Sequence, residues 1–153
     1  MSKDGRVKKA KVGTSAPEPP CIFCEIVAGR IPARRIHEDD QALAFLDIAA
    51  WHRGHALVVT KRHVADLTTG EPSLAEIAPA VDVVARMLRQ RLAADGINVL
   101  SSAGAVAGQT VFHTHMHVVP RYADEPGIDR LVNPVAVPEG ELESVYRQIQ
   151  AGA

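Results

Sequence analysis

One short stretch dictates its own conformation. Val111-Phe112-His113-Thr114-His115-Met116-His117-Val118-Val119-Pro120 carries histidines at 113, 115 and 117, with Phe112, Met116 and Val118 at the alternate positions. Side chains on a strand alternate faces with period two, so a strand here gathers three imidazoles on one face and sends the apolar set into a core. On a helix His115 would point nearly opposite to its neighbours, so the cluster exists only on a strand. Same-face histidines then lie roughly 6.5–7 Å apart along the backbone. Imidazole is the side chain that attacks, shuttles protons or binds metal near neutral pH. Three of them, preceded by the Gly104–Gly108 loop and followed by Pro120 and Arg121, mark a site rather than a half-exposed strand.

The surrounding chain of 153 residues is long enough for one compact domain with a core of its own. Its 17 basic and 18 acidic residues give no case for nucleic-acid binding by bulk charge. No apolar run reaches transmembrane length, and the first residues lack the apolar core of a signal peptide, so a cytoplasmic protein without a membrane partner is expected. Residues 1–20 set Lys3, Arg6, Lys8, Lys9 and Lys11 among Gly, Ser and Pro. Such a segment has too little apolar surface to offset ordering entropy and reads as a disordered basic, Pro-rich tail.

From residue 21 onward the pattern is α+β. Ile22 to Val27 reads as a short helix, and Arg35 to Glu38 with Ala42 to Leu46 as a hairpin around Asp39-Asp40-Gln41. His55 to Thr60 reads as a central strand, and Ile97 to Leu100 and Val111 to Val119 complete a mainly antiparallel sheet. Leu74, Ile77, Val81, Val84, Leu88 and Leu92 recur at helical steps, with Ser73 and Glu76 placed for a capping box and Pro79 expected to kink the helix or move its start. Glu139 to Ile149 reads as a terminal helix.

The chemistry follows from residue types. His115 has a histidine on either side, so it alone can be oriented and assisted from both, which makes it the candidate nucleophile. Gly104 and Gly108 permit close backbone approach to phosphate oxygens. Cys21-x-x-Cys24 can place two thiolates on a tetrahedral zinc, with a redox pair or two independent thiols as rivals. A catalytic metal shared by His113 and His115 is a further reading of the alternating strand.

Ala107-Gly108-Gln109-Thr110-Val111-Phe112-His113-Thr114-His115-Met116-His117 closely resembles the signature of the histidine-triad (HIT) superfamily. Cys21-Ile22-Phe23-Cys24-Glu25-Ile26 with Gly29-Arg30-Ile31-Pro32, Leu46-Asp47, and Gly54-His55-Ala56-Leu57-Val58-Val59 with Lys61-Arg62-His63 resemble its other segments. The resemblance implies a HIT domain over 21–122, a C-terminal extension over 123–153, and a five-stranded antiparallel sheet in a homodimer. It further implies hydrolysis at the α-phosphate of purine nucleoside monophosphate derivatives (phosphoramidates and adenylates) through a nucleotidyl-histidine intermediate on His115. Dinucleoside polyphosphate cleavage and nucleotide binding with little turnover are the alternatives. By the same resemblance His117 and His55 lie on the phosphate side, with Thr110 and the Gln109 neighbourhood as donors and Gly108 and Val111 beside the nucleotide. Asp47 takes the position that accepts from ribose hydroxyls, and Ile22, Phe23, Leu46 and Ile48 line a base slot. Ser102 stands where many members carry Asn or Gln, and residues 123–153 do not match the substrate-contacting tail of the small phosphoramidases. In the zinc-bearing branch the residues matching His63 and His113 join the cysteines, which implies a structural zinc on Cys21, Cys24, His63 and His113. The helix around Val84 and Leu88 is the expected twofold interface.

Overall fold

A computed structural model describes residues 20–133 and 135–152; the tail expected over 1–20 lies, save Pro20, outside the described residues. The elements run α1 (Ile22–Val27), β1 (Arg35–Glu38), β2 (Ala42–Leu46), β3 (Ala56–Thr60), α2 (Leu74–Arg91), β4 (Gly96–Leu100), a 3-10 turn (Ala105–Ala107), β5 (His115–Arg121), α3 (Ile128–Val132) and α4 (Glu139–Ala151). The five strands form one antiparallel sheet in the order β1-β2-β3-β5-β4.

The β1–β2 turn forms as its sequence requires: the Asp39 carboxylate accepts from the backbone N–H of Gln41 and of Ala42, each at 2.8 Å. Strands β2 and β3 are buried throughout because both faces are covered. On one face Leu43, Phe45, Leu57 and Val59 pack with Phe23 and Ile26 of α1. On the other, Ala42, Ala44, Leu46, Ala56 and Val58 meet Ile77, Ala80, Val84 and Leu88 of α2. Full burial of Ile77, Val84 or Leu88 is worth about 1.5–3 kcal/mol per side chain. The turn into β3 demands glycine at 54: φ is +86°, and a Cβ there would stand 2.3 Å from Leu92 Cδ1.

Several expectations require correction. The triad strand starts at His115 rather than Val111, because Thr114 gives its N–H to the Val64 carbonyl at 2.6 Å instead of extending the ladder. Phe112 is therefore 49% exposed. Helix α2 runs unbroken from Leu74 through Pro79, which lies on its solvent side, where the Ala75 carbonyl deprived of a partner meets water. Ser73 and Glu76 form no capping box; the Ser73 hydroxyl bonds Thr114 Oγ1 at 3.3 Å, and Glu76 pairs with Arg62 at 2.5 Å. Val84 and Leu88, each 0% exposed, face their own sheet and offer no surface to a second copy. Helix α3 was not signalled by periodicity. Helix α4 belongs to the same core, since Val145 and Ile149 pack with α2. Among the described residues no helix is long and apolar enough to cross a membrane.

Candidate active site and metal centre

His115 and His117 pair across the ladder with Val59 and Leu57, so they share the face of the sheet that α1 covers. There they border a cavity of about 810 Å³ between α1, the β2–β3 connection and the loop before β5. Ile22, Phe23, Leu46, Asp47, Ile48, Ser102, Gly108, Thr110 and Val111, all anticipated, line it as well.

The imidazoles are held in defined tautomers. His115, 6% exposed, places Nδ1 at 2.6 Å from the His113 carbonyl. A carbonyl only accepts, so Nδ1 carries the hydrogen and the neutral ring keeps its lone pair on Nε2. Behind it the Trp51 backbone N–H donates to His55 Nδ1 at 3.0 Å, which places the His55 hydrogen on Nε2. That atom stands 2.9 Å from His117 Nδ1, so the remaining hydrogen of His117 is on Nε2. Both rings stay neutral: burial, then the neighbouring His117, pushes His55 down to about 3, and burial, then His115, pushes His117 down to about 4. His55 itself, fully buried, does not line the cavity and reaches it only through His117.

The loop before β5 differs from expectation at Gln109. This residue is 4% exposed and turned inward: Nε2 donates to the Ala65 and Val111 carbonyls at 2.7 and 3.0 Å, and Oε1 accepts from Gly104 N–H at 2.8 Å. The backbone N–H groups of Gly108 and Gln109 close the turn onto Ala105 and Gly104. Gly104 and Gly108, at φ +89° and +92°, make that turn possible and do not aim free donors at the cavity. The loop's polar side chains at the cavity include the hydroxyl-bearing Ser102 and Thr110. Asp47 Oδ1 accepts from Ala49 N–H at 2.8 Å, and Oδ2 lies 3.8 Å from His55 Nε2. Burial raises the Asp47 pKa, against the pull of the Ala49 N–H.

Cys21, Cys24, His63 and His113 form a second constellation, with one ligand atom from each lying within 4.8 Å of the others. His113 Nδ1 is 3.5 Å from each sulfur and 3.3 Å from His63 Nδ1, and Cys24 Sγ is 3.2 Å from His63 Nδ1. A tetrahedral zinc separates such ligand atoms by about 3.3–3.8 Å, so the set fits the ion. His113 Nε2 donates to the Thr60 carbonyl at 2.7 Å, which leaves Nδ1 unprotonated and facing the sulfurs. Burial, with Cys21 beside it, pushes the Cys24 thiol up to about 11, and a bound cation would reverse that balance. Among the described residues His115 has no ligand atom in this group and lines the cavity instead, so a metal shared by His113 and His115 is not supported. Asp47, His55 and His117 also approach one another. There the Trp51 N–H holds the His55 hydrogen on Nε2, the atom a metal would need, so this trio is a hydrogen-bonded chain.

A model of the HIT domain matches residues 28–124. Protein hit of Bacillus subtilis is 44% identical over 108 residues, which cover 70% of this chain and 74% of that protein. This chain belongs to the HIT domain family. Adenylylsulfatase HINT3 of Arabidopsis thaliana is 36% identical over 112 residues, 72% of this chain and 57% of that protein. Among solved structures, a Zn-bound histidine triad family protein from Mycobacterium smegmatis superposes with TM-score 0.69 at 39% identity, covering 87% of this chain and 97% of that one.

Trp51, Arg34 and Glu143 are among the residues of this HIT domain protein's cavity that escaped the sequence reading. Trp51 stands in the β2–β3 connection, where only its being the chain's single tryptophan draws notice. Arg34 and Glu143 line the rim and pair with each other at 3.3 Å. Glu143 comes from α4, beyond the stretch matched by the HIT domain model, and no local pattern ties it to the site.

Proposed function

We propose that this protein is a hydrolase acting at the α-phosphate of purine nucleoside monophosphate derivatives, through a covalent nucleotide on His115. The observation that carries the reading is the His115 ring, with Nδ1–H held by the His113 carbonyl and the Nε2 lone pair free beside the cavity. Nε2 forms a bond to phosphorus while the bond to the leaving group breaks, its electron pair going to that group. A sulfate, carboxylate or phosphate departs as an anion, whereas an amine takes a proton from solvent at the cavity mouth. The positive charge left on the ring is stabilised at Nδ1–H by the His113 carbonyl. His117 Nε2–H, with the Ser102 and Thr110 hydroxyls, donates to the phosphoryl oxygens. Water then attacks phosphorus, releases the nucleoside monophosphate and returns His115 to its neutral form.

Phe23, whose ring edge meets His115 at a centroid distance of 5.2 Å, together with Ile22, Leu46 and Ile48 forms the apolar slot for the base. Asp47 accepts from the ribose hydroxyls. Zinc on Cys21, Cys24, His63 and His113 clamps α1 and the lead-in to β5 against the end of β3, and takes no part in the chemistry. The relative named as an adenylylsulfatase supports adenylates as one substrate class. The test is turnover of a nucleoside phosphoramidate, an adenylyl sulfate and a dinucleoside polyphosphate, with acid-labile label trapped during the reaction. Label on His115 is expected; label on another residue, or no turnover of any of the three, overturns the reading.

The same proposal includes a twofold dimer. Edge strand β1 is guarded by Arg35, His37 and Glu38, whereas β4 ends the sheet with Val99 43% exposed and Ile97 and Leu100 half-buried. An apolar edge strand invites pairing, and pairing with a second copy would cover it. Light scattering is expected to give twice the 16.4 kDa chain mass. A monomer at micromolar concentration overturns it.

A further inference from the structure

Trp51 has no part in the chemistry just described, yet it touches both histidines of the relay. Its backbone N–H caps His55 at 3.0 Å. Its indole stacks on His117, with ring centroids 4.6 Å apart and planes within 16°, and tilts over His55 at 4.7 Å and 44°. On another side the His115 ring meets His117 edge-on, at 5.0 Å and 67°. The hydrogen bond at His117 Nδ1 opposes rotation of the ring about its Cβ–Cγ bond but still lets the plane librate. A flat aromatic face within van der Waals contact removes that freedom. The indole also lines the cavity beside His117.

We propose that the Trp51 indole is a positioning residue for the phosphoryl site: it fixes the plane of His117 and thereby the direction in which His117 presents Nε2–H to the transferring phosphoryl group. This rests on the reading of His115 and His117 given above and adds to it a residue that acts through His117 without bonding to phosphate. The stack is required because the donor must already point at the oxygen when charge develops there; a ring that samples several planes pays that alignment at each turnover. A phenyl face supplies most of the contact, and a small aliphatic side chain supplies none.

The experiment uses the full, zinc-loaded chain with ¹⁵N-labelled histidine, in wild type, Trp51→Phe and Trp51→Ala. Trp51→Leu, which fills more of the space than alanine but has no ring face, replaces the alanine variant if that one fails to fold. Imidazole nitrogen shifts report tautomer and ring exchange without any substrate. The wild type and Trp51→Phe are expected to show one His117 tautomer with the hydrogen on Nε2, and Trp51→Ala an averaged or mixed signal. In turnover of a nucleoside phosphoramidate, Trp51→Ala is expected to lose about 10- to 100-fold in kcat with KM within about threefold, and Trp51→Phe to recover most of the loss. An unchanged His117 tautomer in Trp51→Ala, an unchanged kcat, or a loss confined to KM overturns the proposal. Should the wild type turn over none of the substrates, the hydrolase reading falls while the nitrogen spectra still decide what Trp51 does to His117.

Discussion

Two histidine assemblies lie side by side on this molecule, and they use the same side chain in opposite ways. In the Cys21, Cys24, His63 and His113 group, four atoms able to bind one cation converge: His113 gives its only hydrogen to the Thr60 carbonyl and turns a bare Nδ1 toward two sulfurs. In the His55–His117 chain each ring accepts at Nδ1 and carries its hydrogen on Nε2, with Trp51 N–H donating to His55 and His55 donating to His117. The first arrangement gathers atoms that can each give a lone pair to one cation once the thiols lose their hydrogens. The second satisfies itself and ends in a donor. What a histidine does is decided by the partner of its other ring nitrogen.

The strongest way to break this division is at His115, assigned to chemistry although it stands two residues from a metal ligand. His115→Ala should lower turnover by on the order of 10⁴-fold or more while nucleotide affinity stays within about tenfold and zinc content is unchanged. Loss of zinc from this variant would merge the two assemblies into one. Metal analysis and ligand titration on the same preparation check it.

The converse test removes the cation. Cys24→Ser, or chelation of the wild type, should lower zinc content and melting temperature together, by on the order of 10 °C, since metal binding free energy is folding free energy. Metal-free protein of unchanged melting temperature would reduce the cluster to two thiols near two imidazoles.

Asp47 sharpens the catalytic side. Asp47→Ala should raise KM about 10- to 100-fold for ribonucleotide substrates, the equivalent of about 1.5–3 kcal/mol for hydrogen bonds to a charged acceptor, and leave dideoxy analogues nearly unaffected. Equal losses on both would confine Asp47 to the turn it makes with Ala49.

The smallest effect is on the pH dependence of stability. His55 and His117 are held down to about 3 and about 4 from 6.5, so the folded chain leaves them neutral where the unfolded chain takes up protons. Stability is full above about pH 6.5 and falls as pH drops toward 4. Melting curves of zinc-loaded protein between pH 7 and 5 should show that decline, and His117→Gln, which keeps a polar side chain but does not titrate there, should flatten it by a few degrees at most. An unaltered slope would remove His117 from the account.

Much of this was legible in the residues because it depends on neighbours in the chain. The β1–β2 hairpin needs only an aspartate two and three residues before the groups it caps. The amphipathic spacing of α2 placed Ile77, Val84 and Leu88 on its buried face, whereas Leu74 in the same pattern is exposed. It could not say whether that face meets the chain's own sheet or a second copy, and Val84 and Leu88 turned out to be internal. Gln109 was misplaced because an amide in a glycine-rich loop reads as a donor to ligand whether it points outward or, as here, holds the loop from within.

The sequence by itself determined that His115 and His117 share a face, that Met116 and Val118 go to the other side, and that two cysteines stand close enough to share an ion. Period two along a strand and short separation along a chain need no knowledge of anything distant. For His113 and His117, which nitrogen carries the hydrogen was decided by tertiary structure, through the Thr60 carbonyl and His55, whereas His55 and His115 are set by backbone groups four and two residues away. Cys21 and His113 are 92 residues apart, His55 and His117 are 62 apart, and the tryptophan that stacks on His117 comes from a different connection of the sheet. At His113 and His117 the tautomer is set by a partner that packing brings from far along the chain, and no local pattern encodes that partner.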